Sequence, residues 1–164
     1  LIGKINKKNQ SNFFPTVRIH SQCVTGDIFH SLKCDCGEQL NKSLDIMVKN
    51  EEGILIYLPQ EGRDIGLTNK IRAYKLQENG LDTVDANLTL GFRDDERSYD
   101  VAVAILKKLK IKKINLITNN PNKVKKLNEE GLKVMKIIKL KVEPNEINIE
   151  YLNTKKIKSN HIYD

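Results

Sequence analysis

Cys23, Cys34 and Cys36 fall within fourteen positions and are the only cysteines of the chain. Three thiols so close in sequence suit a soft metal, and zinc is the default. Three protein ligands leave a fourth position open for water, the pattern of catalytic zinc. A closed structural site would instead draw a fourth ligand from His20, His30 or a residue far away. A metal held with an open position brings the pKa of its bound water towards neutrality. The alternative is that the three cysteines pack as small hydrophobes. Asp35 and Gly37, which flank Cys36, read as a turn rather than a core run.

Three further stretches carry groups that do chemistry. Glu61-Gly62-Arg63 lies just past an apolar run closed by Pro59. Gly62 would let backbone approach a ligand, and Arg63 could clamp a phosphate. Thr118-Asn-Asn-Pro-Asn-Lys123 leaves a second apolar run and opens a helix, whose free N–H groups and dipole attract anions. Asp94-Asp95-Glu96-Arg97 sets carboxylates beside a guanidinium, a proton acceptor next to a fixed positive charge. Each has a plain alternative: a surface turn, a capped helix, and a helix start rich in acids. Arginine adds weight to the ligand readings. Only 5 of the 28 basic residues are Arg, and all lie at or before Arg97. Planar, bidentate contact with phosphate or carboxylate needs that fork.

The elements that must position these groups alternate. Residues 1–15 are polar and end at Pro15, a loose lead-in. Thr16–Gln22 alternates with β-branched residues and reads as a strand delivering the chain to Cys23. Gly37–Asn50 is a helix with Leu40, Leu44, Met47 and Val48 on one face. Gly53–Leu58 is a continuous apolar run that suits a strand buried on both faces. Gln60–Gly66 is a loop. A helix then runs to Asn79-Gly80, with Ile71 and Tyr74 inward and Gly80 as its stop. Leu81–Asp95 reads as irregular. Val101, Ile105 and Leu109 make the inner stripe of the next helix. Ile114–Thr118 is a strand, Asn120 with Pro121 caps a helix ending near Gly131, and Lys133–Ile138 is a strand. The remainder to Asp164 is polar and is left unassigned. The alternation predicts an α/β fold: one domain over 16–164, a mixed sheet flanked by helices.

With 164 residues the chain suits one domain with one core, and no apolar run reaches membrane-spanning length. The lack of a signal peptide, together with free thiols, points to the cytoplasm. Starting at Leu1 rather than Met, the chain reads as a piece of a longer one. Its net charge of +7 is uneven: residues 98–164 hold 15 Lys against 7 acids, residues 1–97 hold 13 basic against 14 acidic residues. A nucleic-acid surface would want aromatic residues interleaved there, and few are present, so a solvated lysine-rich exterior is the better reading.

Metal with an open position, several guanidiniums and a helix N-terminus together suggest metal-assisted hydrolysis of a nucleotide. The same stretches resemble GTP cyclohydrolase II, which opens the guanine ring at the start of riboflavin synthesis. The matching segments are Val17–Cys23, Thr25–Asp27, Lys33–Gly37, Gln60–Leu67, Asn69–Tyr74, Asp82–Val84, Asp94–Arg97 and Leu116–Pro121. They run in family order from about residue 17 to 123. The cysteine spacing joined to Gln60-Glu-Gly-Arg63 is the most specific part.

The resemblance implies one zinc per chain on Cys23, Cys34 and Cys36. It implies GTP contacts at Arg18, Ile19, His20, Ser21, Gln22, Gln39, Glu61, Gly62, Arg63, Thr83, Thr118 and Lys123. It assigns Asp95 as proton acceptor, Arg97 as nucleophile towards the α-phosphate and Tyr74 as a residue near the reacting base. It further implies Mg²⁺ with the triphosphate, a homodimer, and often a fused dihydroxybutanone phosphate synthase domain. The family usually carries Glu where this chain has Gln22. Gln keeps the size and hydrogen bonding but loses the charge. Three functions follow for testing: an active zinc hydrolase on GTP, a GTP-binding homologue of weak activity that supports a partner domain, and a zinc-stabilised nucleic-acid binder.

Overall fold

Apolar runs become strands where they can be covered on both faces. In a computed structural model, which describes residues 2–5 and 14–158, five strands form one sheet in the order β1-β3-β2-β4-β5. These are β1 (Ile2–Ile5), β2 (Thr16–Ser21), β3 (Gly53–Leu58), β4 (Lys113–Ile117) and β5 (Lys133–Ile138). The last four run parallel and β1 joins β3 antiparallel, so the sheet is mixed and the fold is α/β, as expected. Between the strands lie α1 (Val24–Asp27), α2 (Cys36–Lys49), α3 (Glu61–Asp64), α4 (Gly66–Glu78), α5 (Thr83–Thr89), α6 (Asp100–Lys108) and α7 (Pro121–Glu129). A final helix, α8 (Ile149–Lys158), closes the described chain.

Strand residues alternate between two apolar layers. Val17, Ile19, Ile54, Ile56, Leu58, Ile114 and Leu116 face α6 and α7, meeting Ala102, Val103, Leu106 and Leu127. Leu55 and Ile117 face the other way, onto Ile46 and Met47 of α2. Asn120 caps α7 as its sequence suggested, accepting from the N–H groups of Asn122 and Lys123, with Pro121 in the first turn.

Several expectations change. Ile2–Ile5 is an edge strand on β3, not loose lead-in; the rest of that segment, 6–13, lies outside the described residues. The stretch read as irregular contains α5, whose cap Asp82 accepts from the N–H groups of Val84 and Asp85. Helical stripes were misplaced because the largest side chains were assumed to face inward. Met47 is buried, but Leu44 and Val48 are exposed; Val101, Leu109 and Ile71 are exposed too. The covered positions are Ser43 in α2, Lys70 and Ala73 in α4, and Ala102, Val103 and Leu106 in α6. Small residues let α6 lie close to the sheet. Lys70 is inward for a reason that only the site explains. No helix among the described residues is long and apolar enough to cross a membrane.

Candidate active site

The parallel strands β3, β2 and β4 end at the same edge of the sheet. Three of the four sequence stretches leave from there: Cys23 after β2, Glu61–Arg63 after β3 and Thr118–Lys123 after β4. After β2 the chain crosses to β3 on one side, while β4 lies on the other. Open α/β sheets bind ligands in the crevice at such a switch point. Here β2 and β4 pair only at Thr16–Asn115 and Val17–Leu116. Beyond Val17 the ladder gives way to a side chain, Arg18, whose Nη1 donates to the Ile117 carbonyl at 3.2 Å. Above this gap lies a cleft open to solvent.

The three cysteines line one wall. Their sulfurs lie within 4.8 Å of one another, with Cys23 and Cys34 at 3.6 Å. Tetrahedral thiolates at a zinc–sulfur distance of about 2.3 Å would sit roughly 3.8 Å apart, so the trio fits that ion. No further His, Cys, Asp or Glu among the described residues joins the group. The cradle is tight. A Cβ on Gly26 would stand 2.9 Å from Cys34 Sγ and 3.2 Å from Cys23 Sγ; one on Gly37 would stand 2.3 Å from the Gly26 carbonyl oxygen. Only glycines let α1 and the start of α2 close around the sulfurs. Hydrogen bonds from the other two thiols, with Lys70 nearby, hold Cys23 far below its usual pKa and so favour its thiolate. Cys34 is raised to about 11, chiefly because its thiol donates to Cys23.

Buried partners brace this wall. Lys70 Nζ donates to Cys23 Sγ at 3.0 Å, Thr25 Oγ1 at 2.8 Å and Glu61 Oε1 at 2.7 Å. The other Glu61 oxygen accepts from the Val24 N–H at 2.6 Å. Glu61, expected at the ligand, lines the cleft but spends both oxygens holding α1 and Lys70. Asp27 accepts from the Cys23 N–H at 2.9 Å and from Tyr57 Oη at 2.7 Å, and lies 3.1 Å from His20 Nε2. Burial lowers the His20 pKa, with Asp27 opposing, so the ring is neutral at pH 7.

A second set of lining residues is cationic. Arg18, Arg63, Arg97 and Lys123 belong to it, and their positive charges are only partly met. Lys123 is buried with Nζ on the Ile19 carbonyl at 2.8 Å. Desolvation, then the charges of Arg18 and Arg97, push its pKa well below the ordinary lysine value. The buried Nε of Arg18 has no partner among the described residues. A polyanion would supply the missing charge and acceptors. Gly62, Arg63 and Asp64 are consecutive left-handed residues, with φ of 63°, 61° and 75°. Such strain in non-glycine residues persists only where contacts enforce it. Here the enforcing contacts are Arg63 with the carboxylate and carbonyl of Asp94, and Glu96 N–H on the Arg63 carbonyl.

Sixteen of the eighteen expected site residues meet in one cleft, among them Arg18, His20, Ser21, Gln22, Gln39, Glu61, Gly62, Arg63, Thr83, Thr118 and Lys123 with the cysteines. Arg97 and Tyr74 complete the set. Gln22 makes no side-chain hydrogen bond to any described residue, so its amide is open to a ligand. Burial beside Cys34 raises Tyr74 to about 12 despite Lys70. Two residues stand apart. Ile19 is fully buried on the other face of β2, in the α6–α7 core, because strand neighbours alternate. Asp95 reaches the cleft only through Arg97, which donates Nε to Oδ1 at 2.7 Å and Nη2 to Oδ2 at 2.6 Å. Burial alone would raise the Asp95 pKa, but Arg97 carries it below the usual carboxylate value. Sequence reasoning missed Lys70, Asp35, Tyr151 and Lys155. A signal was present: Lys70 with Tyr74, and Tyr151 with Lys155, are one helical turn apart, a spacing that sets a cation beside a ring. The ammoniums lie 5.7 Å and 4.3 Å from the ring centroids.

Comparison with known proteins agrees with this geometry. The family profile described as GTP cyclohydrolase II matches residues 2–139. The chain is 51% identical over 155 residues to a riboflavin biosynthesis protein RibBA of Endomicrobium trichonymphae, covering 94% of this chain and 38% of that protein. It is 53% identical over 147 residues to a GTP cyclohydrolase-2 of Archaeoglobus fulgidus, covering 89% of this chain and 39% of that one. Against a GTP cyclohydrolase-2 of Acinetobacter baumannii (strain AYE) it is 50% identical over 147 residues, covering 90% of this chain and 74% of the relative. The chain thus spans well under half the length of the first two.

Proposed function

The chain belongs to the GTP cyclohydrolase II family, and from that premise we propose that it hydrolyses GTP at the guanine imidazole ring. The net reaction consumes water at C8 to open the ring, water again to free that carbon as formate, and water at the α–β phosphate bond to release pyrophosphate. What remains is 2,5-diamino-6-ribosylamino-4(3H)-pyrimidinone 5′-phosphate. The observation that carries this reading is that three clustered thiols and a set of incompletely neutralised cations line one cleft.

Cys23, Cys34 and Cys36 would hold zinc, which activates water and polarises the bond it attacks. Arg63 and Lys123, with the start of α7, bind the phosphates. Arg18 orients the nucleotide from the floor, where Gln39 accepts from its Nη2 at 2.7 Å. Tyr74 and Gln22 stand beside the cysteines, where the base would lie. Arg97 serves the α-phosphate. As a nucleophile it would pass a proton to Asp95, which already receives two of its N–H groups, and bond to the α-phosphorus as pyrophosphate leaves; water would then cleave that P–N bond and free it. In the resting pair the proton stays on Arg97, whose pKa is raised by Asp95 against the effect of burial. Magnesium with the triphosphate, a homodimer and a cytoplasmic location belong to the same proposal. So does a dihydroxybutanone phosphate synthase domain in the remaining length of the longer relatives.

Metal-loaded protein incubated with GTP and Mg²⁺ should release formate and pyrophosphate together. Folded, zinc-bound protein that releases neither would overturn the catalytic reading. Gln22 favours one second reading, a GTP-binding homologue that turns over poorly. GTP titration alongside formate analysis separates the two.

A further inference from the structure

Helix α8 lies beyond the residues that the family profile matches, yet two of its side chains, Tyr151 and Lys155, line the cleft. Lys155 is buried and its Nζ stands 2.6 Å from Oδ1 of Asp35, a fully buried carboxylate. Asp35 is the residue between Cys34 and Cys36. Its other oxygen accepts from Gln39 Nε2 at 2.5 Å. Gln39 in turn accepts from Arg18, which donates onward to the Ile117 carbonyl. One continuous chain of polar contacts therefore joins α8, the cysteine turn, α2 and the gap between β2 and β4. The outer end of α8 is tied as well: Lys158 pairs with Asp82 and Asp85 around the start of α5, next to Thr83.

We propose that α8 is a working wall of the active site and that Lys155 is a positioning residue for the Cys34–Cys36 turn. The physical reason lies in charge. The turn sets a buried carboxylate between two cysteines whose thiols must become thiolates to hold a metal, and negative charges gathered in one buried region repel. Lys155 offsets Asp35 from one side, as Lys70 offsets Glu61 and Cys23 from the other. With both ammoniums in place the sulfurs can gather. Without Lys155, the buried Asp35 would have to find another cation or move, and the two flanking sulfurs would move with it. The pair also sets Gln39, and through it the tilt of the Arg18 guanidinium. The inference rests on the reading of the three cysteines as a metal site.

Cobalt(II) titration of the full chain under chelator competition tests it, because cobalt–thiolate absorption reports ligand geometry independently of turnover. Lys155→Met should bind cobalt about 10- to 100-fold more weakly than wild type, the range for partners behind metal ligands. Its cobalt–thiolate bands should shift. Lys155→Arg should recover part of the affinity. Asp35→Asn with Lys155→Met should recover more than either single change, since no buried charge is then left alone. Zinc should also slow amide exchange across 149–158 in wild type. If Lys155→Met does not fold, that exchange measurement decides alone, and unchanged exchange overturns the proposal. Wild-type affinity and spectrum in Lys155→Met also overturn it, leaving the metal reading intact. A wild-type chain that binds no cobalt or zinc overturns both.

Discussion

The two walls of the cleft are built on opposite electrostatic plans. On the cysteine wall every buried ammonium has a buried carboxylate: Lys70 meets Glu61 and Lys155 meets Asp35. Among the cationic residues Lys123 rests on a carbonyl, Arg18 keeps an Nε with no partner among the described residues, and only Arg63 and Arg97 hold carboxylates. The first wall is finished by the protein itself. The second is left with an excess of positive charge that a polyanion would complete. A site that must shape thiolates before its metal arrives needs internal counter-charges. A site that takes a polyanion, as proposed for this one, gains by leaving its cations short of them.

The comparison breaks most sharply at Cys34. Cys34→Ser should lose zinc and ring opening together while the fold stands, because a core of this size does not need a metal to hold it. Circular dichroism with zinc analysis checks it; an unfolded variant would make the cysteine wall a structural zinc site, in which metal binding is folding energy. Asp95→Asn tests the far wall. It should keep zinc and GTP but lose about 10²–10⁴-fold in kcat, the usual range for a proton acceptor. Single-turnover kinetics would show whether the loss falls in chemistry.

Two lysines then give opposite signs. Lys70→Met strands Glu61 beside the cysteines and should cost about 3–5 kcal/mol in urea unfolding. Lys123→Met removes a charge the free protein holds at a cost. The folded pKa of Lys123 lies below the ordinary 10.5, so between the two values the unfolded chain binds more protons and stability rises with pH. The variant without nucleotide should therefore melt higher than wild type near neutral pH, by about 2–4 °C for each kcal/mol relieved, with the gain fading as pH approaches 10.5. Its affinity for GTP should fall about 10- to 100-fold, the worth of a charge-assisted contact. A Lys123→Met chain that is both less stable and unchanged in GTP affinity would erase the distinction between the walls.

How much of this was legible beforehand follows the same division. Ligand-facing groups at strand ends announce themselves through residue type and punctuation, as Gly62-Arg63 after Pro59 and Asn120-Pro121 after β4 did. The strands were legible because continuous apolar runs admit few other uses. Bracing groups announced themselves only by an aromatic residue one helical turn away. Lys70 and Lys155 look like two more surface lysines in a lysine-rich chain, and their carboxylates lie 9 and 120 positions away. Helix faces failed for a related reason: exposed Leu44, Val48 and Ile71 carry the apolar signal that small, buried Ser43, Ala73 and Ala102 lack.

The smallest expected effect lies where the walls join. Gln22 follows the last residue of β2, next to Cys23, and its side chain is uncommitted. A carboxylate there would enter the cleft that the sulfurs, Arg18 and Lys123 also line. If position 22 serves the base, Gln22→Glu restores a charged acceptor for guanine N–H donors. The kcat for formate release should then rise several-fold, with GTP affinity nearly unchanged, since one hydrogen bond to a charged group is worth about 1.5–3 kcal/mol and part of it is spent in the ground state. If position 22 belongs to the phosphate wall, the added negative charge repels the triphosphate, and GTP affinity falls with no gain in kcat. Measuring kcat and GTP affinity for this single variant assigns the residue to one wall or the other. A rise in kcat would show that the cysteine wall, otherwise complete in its internal charges, lacks one carboxylate.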